Sequence, residues 1–211
     1  MKKIALFGAT GKTGKEFLQK ALAADYEVKA LVRNPDKLDT KHAKLETVKG
    51  DVLVPADVDA TIKSCDIVVS LFGHVKGSPE RLQTKGTQNI LAAMDKNNIE
   101  KIISLSGGGL PFPEKDEPKF ADKAIRFIMK VAVPKVLNDA IEHAGVLKAS
   151  NKKWIIVRGP RLTEGEEKGE YRVGWVGVNA GTSISRKDLA DFLLKQVHSD
   201  KFLHQMPFVS Y

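Results

Sequence analysis

A doubly wound α/β domain, a parallel sheet covered by helices on both faces, is the fold that the sequence predicts. Three observations predict it. Short apolar runs recur with helical stretches between them, the first run is apolar throughout, and three regularly spaced glycines join that run to an amphipathic stretch. The runs lie at 4–7, 27–32, 45–48, 67–72, 102–106 and 154–157. An unbroken apolar run such as Ile4-Ala5-Leu6-Phe7 suits a central parallel strand, which is buried on both sides and cannot alternate with polar residues.

The stretch 13–24 follows, and it places Phe17, Leu18, Ala21 and Leu22 on one helical face. With the run at 27–32 it makes a βαβ unit. Further helices are expected at 58–64, at 80–97 on Leu82, Ile90, Leu91 and Met94, and at 120–149 with a break near Pro134. The last quarter changes character. Residues 168–178 are rich in Gly with Tyr171, Val173, Trp175 and Val178, and 185–197 reads as a helix capped by Ser185 or a neighbour. This small C-terminal region is expected to shape a substrate pocket rather than to extend the core.

The length of 211 residues, with neither an internal repeat nor a long linker, predicts a single domain over 1–211. The apolar fraction of 42% is ordinary for a chain with a buried core. No apolar run approaches the roughly 18 residues of a membrane span, and Met1-Lys2-Lys3 leads directly into the first strand, so a cytoplasmic location without a membrane partner is expected. Cys65 is the only cysteine, which excludes an internal disulfide, and the five histidines show no metal-ligand spacing; no metal is expected. The net charge of +8 is spread singly along the chain and mixed with acids, which argues against a nucleic-acid partner. It reads instead as a lysine-rich solvated surface whose field favours small anions.

Gly8-Ala9-Thr10-Gly11-Lys12-Thr13-Gly14 stands at the junction between the first strand and the first helix. Gly8 suits the tight exit from the strand, Gly11 a close backbone approach to a pyrophosphate, and Gly14 close packing of helix on sheet. Free N–H groups and the helix dipole then favour a diphosphate. This is the context that a dinucleotide fingerprint requires, so the domain is Rossmann-type and binds NAD(P). A Walker A loop is excluded, because Gly11-Lys12-Thr13 lacks the upstream glycine of that motif. At the end of the second strand, Val32-Arg33-Asn34-Pro35 has Arg33 where an acid would bind the adenosine ribose. A guanidinium there can pair with a 2′-phosphate, with Lys12 adding charge, so NADP(H) is expected over NAD(H); the alternative for Arg33 is a surface side chain beside a proline turn.

These segments, together with Gly50-Asp51-Val52, resemble the atypical short-chain dehydrogenase/reductases, and within them the NAD(P)H-binding group that includes biliverdin reductase B (flavin reductase) and the NmrA-like proteins. Residues 154–162, 184–190 and 207–211 agree, so the resemblance spans nearly the whole chain. It implies that Asp51 and Val52 flank the adenine, that Leu71, Phe72 and Gly73 line the cofactor, and that Ser106 and Gly107 lie near the nicotinamide. Leu71 and Phe72 suit plain core packing equally well. Ser106 could donate to a substrate carbonyl or simply cap a turn.

The chain departs from the conventional short-chain dehydrogenases in lacking Tyr-x-x-x-Lys: none of Tyr26, Tyr171 and Tyr211 has a lysine four residues later. His74, beside the cofactor edge, and Ser106 are the candidate catalytic residues in its place; His74 reads equally as polar surface. Arg161 is the candidate for binding an anionic substrate group. The expected function is an NADPH-dependent reductase of a small conjugated acceptor, a flavin, quinone or similar, acting as a monomer or small homo-oligomer. Two other readings stand beside it: an NmrA-like regulator that senses NAD(P) without turnover, and a nucleotide-sugar epimerase or dehydratase.

Overall fold

The computed structural model describes residues 2–75 and 77–211. Its main sheet has eight strands in the order β3-β2-β1-β4-β5-β6-β10-β8. These are β1 (Lys3–Phe7), β2 (Glu27–Val32), β3 (Leu45–Lys49), β4 (Ile67–Ser70), β5 (Lys101–Gly107), β6 (Lys153–Gly159), β8 (Arg172–Gly174) and β10 (Phe208–Ser210). Every pairing is parallel except that of β10 with the edge strand β8. A second, two-stranded sheet joins β7 (Arg161–Thr163) to β9 (Ser183–Ser185).

The alternation of side chains along β1 explains why that strand is apolar throughout. Ile4 and Leu6 enter one core with Phe17, Leu18 and Leu22 of α1 (Lys12–Ala23) and Leu189 and Leu193 of α6 (Arg186–Lys195). Ala5 and Phe7 enter the other, with Val58 and Ile62 of α2 (Pro55–Ile62), Ile90 and Met94 of α3 (Leu82–Lys96), and Ala144 and Leu147 of α5 (Pro134–Lys148). A polar residue at any of these four β1 positions would face a hydrocarbon layer. The doubly wound parallel architecture expected from the sequence is therefore the one observed.

The helix foreseen at 120–149 is two helices, α4 (Phe120–Ala132) and α5, with Pro134 at the first position of the second. Ser185 caps α6, its Oγ accepting from Asp188 N–H at 3.0 Å. α2 starts three residues earlier than expected because Pro55 occupies its first turn, where a missing N–H costs nothing. The C-terminal region differs more. β8 and β10 extend the main sheet beyond β6, so this part completes the sheet as well as shaping a pocket.

The topology fixes where ligands bind. Strand β1 has β2 on one side and β4 on the other, so the chain leaves it in opposite directions, and the loops after β1 and β4 part at the carboxyl edge to open a crevice.

Candidate active site

The turn after β1 is held by its own backbone. Gly8 adopts φ +89°, and Gly11 N–H donates to Gly8 O at 3.0 Å. A Cβ on Gly8 would lie 2.6 Å from Phe72 N, and one on Gly14 would collide with the Gly8 carbonyl oxygen. The exit of β4 and the first turn of α1 thus both press on this backbone, and neither allows a side chain. Gly11 caps α1 without a side-chain hydrogen bond, and the first turn holds no acid. The N–H groups and the positive end of the helix are left to an anion, which is the cradle that a dinucleotide pyrophosphate requires.

Seven of the residues named from the sequence, Gly8, Thr10, Arg33, Asp51, Val52, Phe72 and Gly73, line one cleft at this crevice. Arg33 is exposed at its rim and makes no ion pair among the described residues. Asp51 shapes its own loop, Oδ1 accepting from Leu53 N–H at 2.8 Å while Asp51 N–H donates to Asp57 at 2.9 Å. Leu71 is buried in the core behind the cleft. Thr13 and Gly14 are buried in the first turn of α1, whereas Lys12 points to Glu164, with Nζ 2.9 Å from its carboxylate.

Two further glycines shape this cleft: Gly50, quoted from the sequence only as part of Gly50-Asp51-Val52, and Gly86, which the sequence reading missed and which lies behind the lining. Gly50 lines it and has no room for a Cβ, which would come within 2.5 Å of the Asp57 carboxyl. Gly86 sits inside α3, where glycine is otherwise unfavourable by about 1 kcal/mol; a Cβ there would lie 2.7 Å from the Phe72 ring and 3.0 Å from Val52. Gly86 therefore lets Phe72 and Val52, both on the cleft wall, pack close against α3. A glycine in mid-helix was the available signal.

A second cleft of about 410 Å³ opens beyond β5 and β6. That volume falls within the range, roughly 300–1,000 Å³, of small-molecule sites. Gly107, Gly108, Gly159 and Pro160 form its base, and Ile125, Met129, Val176 and Phe208 its apolar walls. Its charged groups are Asp122, Arg126 and the predicted Arg161, which forms no ion pair among the described residues. The Ser106 hydroxyl, one residue before this base, is buried and has no hydrogen-bond partner. Ser106 itself lines neither cleft.

His74 is not among the lining residues of either cleft. Its Nε2 donates to Asp139 Oδ2 at 2.5 Å, and Asp139 also accepts from the N–H groups of Gln83 and Thr84 at 2.8 and 2.9 Å. Asp139, on α5, thereby caps α3 from outside that helix, and His74 ties the loop after β4 to the cap. Burial alone would push the Asp139 carboxyl up, but the Thr84 and Gln83 donors and His74 outweigh it and hold it below the usual carboxylate range. The hydroxyl of Tyr171 lies 3.1 Å from Lys195, but burial and Asp191 push it up to about 12, the opposite of an activated acid.

His143, seen in the sequence as a helix residue without a partner, is buried between two hydroxyls, Thr87 Oγ1 at 2.8 Å and Ser104 Oγ at 3.1 Å. A neutral imidazole satisfies both, and burial pushes its pKa down to about 4, with Asp139 opposing weakly. The unfolded chain takes up this proton near the ordinary value of 6.5, whereas the folded chain refuses it until about 4. Stability is thus whole above pH 6.5 and falls as the pH drops toward 4, by about 3 kcal/mol. We expect denaturant midpoints of His143→Gln to lose much of this slope; an unchanged slope would place the acid sensitivity elsewhere.

Comparison with known proteins places the chain in a family and supports the fold. A family model described as NAD(P)H-binding matches residues 8–200. The uncharacterised Bacillus subtilis protein YwnB is 29% identical over 208 residues, which cover 92% of each chain. Among solved structures, a Veillonella parvula short-chain dehydrogenase/reductase in complex with NADP superposes with a TM-score of 0.79 at 17% identity, covering 100% of this chain and 94% of that one. ChuY of Escherichia coli O157:H7, described as an anaerobillin reductase, gives 0.77 at 19% identity, covering 100% and 97%. At such identities the two structures speak for the fold alone.

Proposed function

Because the chain belongs to the NAD(P)H-binding family, we propose that it is an NADPH-dependent reductase that passes hydride to a small conjugated acceptor such as a flavin or a quinone. The observation that carries this reading is the adjacency of the two clefts. Phe72 and Gly73, after β4, border the first, and Gly107, after the neighbouring strand β5, borders the second. Bound NADPH supplies a hydride. The chain then has to hold a flat apolar body against it, which is the task that the walls of Ile125, Met129, Val176 and Phe208 suit.

The charged groups of the second cleft explain why the acceptor is conjugated. Arginine does not release its proton at physiological pH. Asp122 is engaged at the start of α4, where it accepts the N–H of Lys119 at 2.9 Å. Neither supplies the acid that reduction of an isolated carbonyl needs, whereas a reduced flavin or quinone takes its proton from water. Arg126 and Arg161 favour an acceptor with an anionic substituent.

The test is a titration with NADPH and NADH, followed by FMN, riboflavin and a small quinone while the reduced nicotinamide is monitored. Saturable oxidation with at least one acceptor is expected. Binding without oxidation would leave a cofactor sensor. Arg33→Asp is expected to weaken NADPH about 10- to 100-fold, the value of one charge-assisted contact to phosphate, and NADH hardly at all. Equal weakening of both would remove Arg33 from 2′-phosphate recognition.

A further inference from the structure

We propose that α4 is a docking helix for the surface of an anionic lipid bilayer. None of its thirteen residues is buried, and Phe120, Phe127, Ile128 and Val131 are exposed by 88, 68, 62 and 67%. Their spacing, with Ala124 between, follows successive helical turns, so they form one arc pointing away from the sheet, while Met129 turns toward the second cleft. A cluster of large apolar side chains on the outside of a folded chain marks a contact surface.

Charge selects the occupant. Lys123, Arg126 and Lys130 stand within α4 against one acid, Asp122, and Lys119 precedes it. The three lysines form no ion pair among the described residues. An apolar arc with phenylalanines, flanked by lysines with long apolar stems, is the pattern of a helix that lies in the plane of a headgroup layer. Each lysine near an anionic surface strengthens the attraction. A second copy of the chain would bring the same lysines and the same net charge of +8 against this face, so the charges that favour an acidic bilayer oppose self-association.

No helix among the described residues is long and apolar enough to cross a membrane, and none needs to be for this mode of binding. The sequence expectation of no membrane partner rests on the lack of such a span and does not address a helix lying flat. Ile125 and Met129 belong to both α4 and the wall of the second cleft, so docking would turn the cleft mouth toward the bilayer, where a lipophilic acceptor is concentrated. The docking itself does not depend on the reductase reading.

Flotation with phosphatidylglycerol/phosphatidylcholine vesicles, compared with phosphatidylcholine alone, at low and high salt, tests the proposal, with NADPH affinity as the control for folding. Binding is expected only to the anionic vesicles, weakening with salt, and falling about tenfold or more in Phe127→Glu/Ile128→Glu and in Lys123→Glu/Lys130→Glu. No flotation with anionic vesicles would overturn it, as would flotation that neither double variant changes. A wild-type dimer in light scattering that Phe127→Glu/Ile128→Glu makes monomeric, without vesicle binding, would assign the face to a second copy instead.

Discussion

Asp116→Ala is expected to destabilise the protein by about 3–5 kcal/mol, the usual loss when one partner of a buried ion pair is removed. Arg158 is fully buried on β6, and four of its five guanidinium N–H groups are paired: Nε donates to Met206 O, Nη1 to Leu110 O and Asp116 Oδ2, and Nη2 to Asp116 Oδ1, each at 2.8 Å. Asp116 also accepts from the N–H groups of Phe112 at 2.7 Å and Val176 at 3.1 Å. Burial alone would raise the Asp116 carboxyl; Arg158 and these N–H donors outweigh it and hold it below the ordinary carboxylate range. Removing the carboxylate leaves a positive charge in the interior with no counter-ion. The paired variant Asp116→Leu/Arg158→Met is expected to lose far less, because a buried pair replaced by apolar groups gives up its desolvation penalty along with its attraction. Denaturant unfolding of Asp116→Leu, Arg158→Met and the double variant closes the cycle. A loss below about 1 kcal/mol in Asp116→Ala would mean that water reaches the guanidinium and the pair is a surface bridge. Function follows the same geometry: the pair joins residues 108–116 to β6 and to Val176, so the second cleft should loosen before the first.

How much of this was legible in the sequence depended on how local the cause was. The inner strands β1, β4, β5 and β6 were, since burial on both faces leaves apolar runs such as Ile67-Val68-Val69. So was the division between α4 and α5, because Pro134 acts on the residues immediately before it. Strands β7, β8, β9 and β10 have three residues each, too few to show a period, and β10 gains its place only by pairing with β6 and β8. The glycine turn was legible because strand, turn and helix are contiguous. Arg33 was legible by its position at a strand end. The second cleft was not, apart from Gly107 and Arg161, because its walls come from α4, Val176, Thr182 and Phe208, segments that nothing local relates. The same holds for Asp116 with Arg158, 42 residues apart, and for His74 with Asp139, 65 apart. Lys12 shows the converse: its charge was plain in the sequence, but the structure directs it to Glu164, 152 residues away, rather than into the cleft.

Gly11 and Gly14 separate what the turn needs in order to fold from what it needs in order to bind. At Gly14 a Cβ would strike the Gly8 carbonyl oxygen and come within 2.8 Å of its carbon, both backbone atoms that cannot rotate aside. Gly14→Ala should therefore cost about 1–3 kcal/mol of stability by overpacking. Gly11 has φ −73° and ψ 160°, extended backbone that any residue adopts, and a Cβ there meets only Gly8 O at 3.3 Å. It also holds the N-cap position, where Ser, Thr, Asp or Asn would stabilise the helix better. Its dihedrals do not require glycine and its one close contact asks for a shift of only a few tenths of an ångström, so the approach of a ligand is the stronger demand that we expect here. Gly11→Val is accordingly expected to lose only about 1 kcal/mol of stability, the usual deficit of an aliphatic N-cap, while weakening NADPH about 10- to 100-fold, the loss of one charge-assisted contact from backbone N–H to phosphate. Calorimetric titration beside thermal unfolding measures both quantities on one sample. Unchanged affinity in Gly11→Val would show that the pyrophosphate does not lie over this residue, and the cradle would then have to be drawn around Thr10 and Thr13 instead.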